Sequence, residues 1–104
     1  MNNYKVEILP KAREDLRRAL NYLIYVKLSP KAADSVLKDF EETIEKLSYL
    51  ADSYQMLESD ILRKRSLKRV NFSRHKYFLL YKIENDKVFI TNIFHAREDF
   101  ENKL

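Results

Sequence analysis

The chain has 104 residues, 45% hydrophobic and 35% charged, with a formal net charge of +4; that size suits one domain, and that balance supplies a core rather than a disordered segment. Cysteine and glycine are both absent, which excludes disulfides, thiolate catalysis, cysteine zinc sites and the glycine-dependent phosphate loops of nucleotide-binding folds. Apolar runs such as residues 77–81 fall far short of the roughly 20 residues of a membrane helix, and charges stud the first thirty residues, so neither a transmembrane span nor a signal peptide is expected and a reducing cytosol fits.

Tyr4, Val6 and Ile8 alternate with Lys5 and Glu7 in the period of a half-buried strand, which Pro10 ends. From Lys11 the period becomes helical. Ala12, Leu16, Ala19, Leu20, Leu23 and Ile24 share one face, while Glu14 and Asp15 suit the N-terminal dipole, so a helix is expected to about Lys27. Ser29 followed by Pro30 reads as an N-cap with proline at the first helical position, opening a second helix striped by Ala33, Val36, Leu37, Phe40, Ile44 and Leu47. Residues 51–60 show no period and read as a loop. Residues 67–72, 76–84 and 87–94 have strand composition, and Asn85-Asp86 supplies a hairpin turn because Asn and Asp tolerate positive φ better than most. The tail after His95 is short and polar.

The expected fold class is α+β, in one domain over residues 1–104. An N-terminal strand and a two-helix antiparallel hairpin pack on a mainly antiparallel sheet with a C-terminal three-strand meander. The helices bury one face of that sheet and leave the other available for binding.

Charge is unevenly placed. Arg63, Lys64, Arg65, Lys68, Arg69, Arg74, Lys76 and Lys82 lie between residues 61 and 83 with no carboxylate among them, whereas the remainder carries sixteen acidic against twelve basic residues. Such a segment orients the molecule in the field of a polyanion or acidic partner; its blander reading is a solvated face. Candidate residues for binding nucleic acid or another target are Arg63, Lys64, Arg65, Lys68, Arg69, Arg74 and Lys76. Tyr77 and Tyr81 offer rings for stacking on bases, although strand tyrosines are more often core.

His95 closes the last expected strand and has Arg97 two residues on, the parts for proton transfer and anion stabilisation in RNA cleavage, although a lone terminal His is more often structural. Ser73 and Asp99 lack the context of a nucleophile elbow. Glu14, Asp15, Glu41 and Glu42 sit beside Lys and Arg on helices, where ion pairing accounts for them. His75 and His95 have no metal-ligand spacing, so neither a metal nor any cofactor is expected.

Four stretches together resemble the RelE/ParE toxin superfamily: Pro10-Lys-Ala-x-x-Asp15-Leu16, Ser29-Pro30-x-Ala-Ala33, Tyr77-Phe-Leu-Leu-Tyr81 and Ile93-Phe-His-Ala-Arg97-Glu-Asp99. The likeness covers nearly the whole chain. It implies the toxin half of a bacterial type II toxin–antitoxin pair, acting in growth inhibition and plasmid stabilization. The implied partners are a cognate antitoxin and either DNA gyrase, poisoned by ParE-like members, or the ribosome with mRNA, cleaved by RelE-like members without a metal.

Departures from the nuclease pattern favour the ParE side. RNA-cleaving members typically carry arginine at the place of Phe78, arginine at the place of Ala96 and tyrosine near the place of Phe100, whose ring lacks a hydroxyl. The nuclease alternative would use His95 as base or acid, with Arg97, Arg74 and Arg69 stabilising the phosphate. A non-toxic nucleic-acid-binding module is the third reading.

Overall fold

The alternating N-terminal residues form strand β1, Lys5–Ile8, and Pro10 takes the first position of helix α1, Pro10–Asn21. The computed structural model describes residues 3–54 and 60–104. Beyond α1 the helix widens into one π turn, Tyr22–Val26, and Leu28 then adopts a left-handed backbone with φ of 53°. Ser29 Oγ accepts the Ala32 N–H at 3.2 Å, which caps helix α2, Pro30–Leu50. The hairpin thus follows the pattern of caps and apolar stripes in the sequence.

A short 3-10 turn, Ala51–Ser53, ends the hairpin. Of the loop expected over 51–60, residues 55–59 lie outside the described residues. Residues Asp60–Lys64 form a short helix, α3, which begins on the last residue of that expected loop. Its ends match the helix dipole, with Asp60 in the first turn and Arg63 and Lys64 in the last. That charge signal carries no apolar period.

Strands β2, Lys68–Asn71, β3, Tyr77–Glu84, and β4, Lys87–His95, form the meander. Asn85 turns it with φ of 57°. The sheet order is β1-β4-β3-β2. Strand β1 runs parallel to β4, with Lys5 opposite Lys87, while the other two pairings are antiparallel. Leu80 faces Asn92 and Tyr81 faces Ile90, so Thr91 is an extra residue that bends β4.

The main core lies between helices and sheet, where Val36, Phe40 and Leu47 meet Leu79, Tyr81, Val88 and Ile90. The opposite face is not left open as the sequence suggested. Leu67, Phe78, Leu80 and Phe94 form a second cluster there, covered by Phe100 and Leu104 of the C-terminal tail. The Phe100 ring stands 5.3 Å from Phe78 and 5.9 Å from Phe94. Two apolar side chains in a polar tail suffice to bury that patch. Asp15 binds α1 to the sheet by accepting the Ile93 N–H at 3.0 Å while pairing with Lys11 and Arg18. Among the described residues no helix is long and apolar enough to cross a membrane.

Candidate functional site

The β2–β3 connection contains Ser73-Arg74-His75-Lys76, a polar stretch with no apolar anchor of its own. A single buried carboxylate fixes it. Asp39, on α2, accepts the backbone N–H groups of Ser73 (3.1 Å), Arg74 (2.9 Å) and His75 (2.9 Å), and a further bond from His75 Nδ1 (2.9 Å). Burial alone would raise the Asp39 pKa, but the His75 ring and the three N–H donors outweigh it and hold the carboxyl below its usual range. One helical turn earlier, Ser35 Oγ lies 3.2 Å from His75 Nε2. The loop is therefore rigid at its base, and Arg74 projects outward, touching Glu42 at 3.6 Å.

The end of β4 is tied just as closely. His95 donates its N–H to Glu98 Oε1 at 3.0 Å, and its ring Nδ1 accepts the Arg97 N–H at 3.1 Å. While Nδ1 accepts this bond its lone pair is occupied, so action as a general base through Nδ1 would first require the release of Arg97. Tyr77 meets the ring edge-on with centroids 5.0 Å apart, and burial together with the Glu98 charge raises the phenol pKa.

These two segments meet the bend of the helical hairpin around a cleft of about 570 Å³. Arg74, Lys76, His95 and Arg97, all marked by the sequence, line it together. Lys27, Tyr22 and His75 line it too, and the sequence pattern had not marked them. Lys27 lies outside the basic segment, so only the fold brings it there. His75 carries no metal-ligand spacing in the sequence, and its carboxylate partner is 36 residues away. A second cleft of about 710 Å³ opens beyond Tyr22, Tyr77 and His95, along α1 towards Lys103.

The other sequence candidates are placed elsewhere. Arg63 and Lys64 end α3 and Arg65 follows it, all exposed. Lys68 is half-buried on β2. Arg69 belongs to the second face, where its guanidinium lies 3.7 Å from the Phe78 ring centre and burial lowers its pKa. It is absent from the lining of the cleft that holds His95. Tyr81 is corrected outright: it is 0% exposed and donates its hydroxyl to the Ala51 carbonyl at 2.8 Å. Burial raises its pKa, and its ring is core, not a platform for bases.

Among the described residues no group of three or more His, Cys, Asp or Glu side chains could hold a metal ion. The cleft combines the forked and point cations of Arg74, Arg97, Lys27 and Lys76 with the His95 imidazole, a set suited to holding oxyanions in place.

The family model for the ParE toxin of the type II toxin–antitoxin system parDE matches residues 6–100. No curated protein sequence matches the chain. Among solved structures, the chromosomal ParDE toxin–antitoxin system from P. aeruginosa is similar, with a TM-score of 0.75 at 16% identity over 90% of this chain and 97% of that one. The toxin–antitoxin complex RelBE2 from Mycobacterium tuberculosis is similar with a TM-score of 0.57 at 24% identity, over 89% and 98%. At these identities the structural likeness is one of fold.

Proposed function

Because the chain belongs to the ParE toxin family of type II toxin–antitoxin systems, we propose that it arrests bacterial growth by inhibiting DNA gyrase in the cytoplasm, and that a cognate antitoxin neutralises it by direct binding. The observation that carries the choice of target is the aromatic cluster on the second face of the sheet. Phe78, where the resemblance places a nuclease arginine, is 1% exposed and packed between Phe94 and Phe100. Apolar rings stabilise no developing phosphate charge, so the toxin acts by occupying its target and not by cutting RNA.

An antitoxin surface is supported by the exposed apolar residues at the hairpin bend, Tyr22, Tyr25, Val26 and Leu28. Clustered exposed hydrophobics of this kind mark interaction sites. Induction of the chain in a bacterial host should relax plasmid DNA as growth stops, and co-expression of the cognate antitoxin should restore both. Growth arrest with plasmid supercoiling unchanged would overturn the gyrase assignment.

A metal-independent endoribonuclease acting on ribosome-bound mRNA is the second reading, favoured by the meeting of His95, Arg97 and Arg74 in one cleft. The capture of His95 Nδ1 by Arg97 and the removal of Arg69 to the other face count against it. It requires codon-phased mRNA 5′ ends that vanish in a His95→Ala, Arg97→Ala double variant.

A further inference from the structure

We infer that the cleft between the hairpin bend and the β2–β3 connection is a docking site for the phosphate backbone of duplex DNA; this rests on the gyrase reading, because it would seat the toxin beside the DNA on which gyrase works. Its cations come from three separate segments: Lys27 from the hairpin, Arg74 and Lys76 from the connection, and Arg97 from the turn after β4. No Asp or Glu is among the residues lining it. The only ion pair of Arg74 among the described residues is Glu42 at 3.6 Å, both side chains being well exposed, and such a pair is weak enough for a phosphate to replace.

The site is built before any ligand arrives. Asp39 holds the backbone of residues 73–75 through three N–H bonds, so Arg74 and Lys76 project from a fixed base and less ordering entropy is lost on binding. Guanidinium forks match phosphate oxygens bidentately, and the His95 imidazole lines the same cleft. An acidic peptide would need apolar anchors sunk into the site. Of the exposed apolar side chains of the bend, Tyr22 lines the cleft, whereas Tyr25, Val26 and Leu28 do not.

The test is fluorescence anisotropy of the full chain on a short labelled DNA duplex across a salt series. With three to four phosphates engaged, log affinity should fall against log salt with a slope of about −3. A variant carrying Arg74→Ala, Lys76→Ala and Arg97→Ala should bind roughly tenfold or more weakly, with the slope shallower by two to three units. A charge-matched variant carrying Lys5→Ala, Arg17→Ala and Lys38→Ala should stay close to the parent, and circular dichroism of both variants verifies folding.

Absence of duplex binding at micromolar protein and about 50 mM salt overturns the inference. So do equal losses in the two triple variants, and so does tighter binding to single-stranded RNA than to duplex DNA. If the cleft variant loses only its antitoxin, the occupant is an acidic protein and the inference fails. Supercoiling assays separate the two claims. A chain that inhibits gyrase while its cleft variant keeps full DNA affinity overturns the docking site alone, whereas cleft-dependent DNA binding without gyrase inhibition upholds the site and removes the gyrase reading.

Discussion

Asp39 Oδ2 lies 2.9 Å from His75 Nδ1 and also accepts the His75 backbone N–H, so one fully buried carboxylate oxygen on α2 secures the loop that carries Arg74 and Lys76. Replacing it with Asn keeps the shape and loses the charge. Asp39→Asn is expected to destabilise the fold by about 1.5–3 kcal/mol, the range for hydrogen bonds to a buried charged group. Urea unfolding measures this. A loss below about 0.5 kcal/mol, the range of ordinary surface changes, would mean that the loop is held by other contacts.

The same carboxylate sets an acid limit. Its folded pKa lies below the ordinary value, so its contribution is fully present above the unfolded Asp pKa of about 4 and disappears as pH falls through the lower folded value. Stability measured from neutral pH downwards should decline over that acid window in the parent chain. In Asp39→Asn the decline should be shallower, and identical pH profiles would contradict the assignment.

Phe78→Arg restores the nuclease-type arginine. Because Phe78 is 1% exposed and Arg69 already lies over its ring at 3.7 Å, the variant would bury a second guanidinium beside the first. The loss of the ring alone is worth about 3–5 kcal/mol, and an unpaired buried charge adds to it. The expected result is aggregation or a large fall in unfolding midpoint, without RNA cleavage. A folded variant with codon-phased cleavage would show that the aromatic cluster conceals a nuclease site.

Tyr81→Phe removes one buried hydroxyl and leaves the Ala51 carbonyl without that donor. A cost of about 1–2 kcal/mol is expected. Toxicity and DNA affinity should stay at the parent level when measured well below the unfolding temperature, since the ring is sealed in the core. Weakened DNA binding in a fully folded variant would return Tyr81 to the surface role that its burial excludes.

With no glycine in the chain, the left-handed positions among the described residues fall to Leu28, Ser66 and Asn85. Asn tolerates that conformation, whereas a leucine there costs roughly 1–2 kcal/mol. Leu28 is also 78% exposed, so little packing is lost on its removal. Leu28→Gly should raise stability by about 0.5 kcal/mol after the added unfolded-state entropy of glycine, visible as a higher melting temperature. A lower melting temperature would show that the leucine side chain contributes packing at the bend.

Local chemistry was legible in the sequence where it determined structure directly. Ser29-Pro30 caps α2, Pro10 opens α1, and Asn85 turns the last hairpin. The parallel register of β1 on β4 was not legible, because Lys5 and Lys87 are joined by no local pattern across the intervening chain. The bulge at Thr91, opposite Leu80 and Tyr81, was equally silent, and the period of two does not by itself say which face of β3 meets the helices. Candidate site residues separated on the same ground. Arg74 and Lys76 are set by a carboxylate 36 residues from His75 that anchors their loop, and the pairing of Tyr77 with His95 brings the end of β4 beside them, whereas Arg69, only five residues before Arg74, points to the other side of the sheet.

The central claim is tested most directly by incubating the purified full chain with purified DNA gyrase, ATP and relaxed plasmid, and following supercoiling on agarose gels. The account predicts that micromolar toxin abolishes supercoiling and that the cognate antitoxin restores it. Supercoiling that proceeds unchanged in the presence of folded toxin would contradict the account.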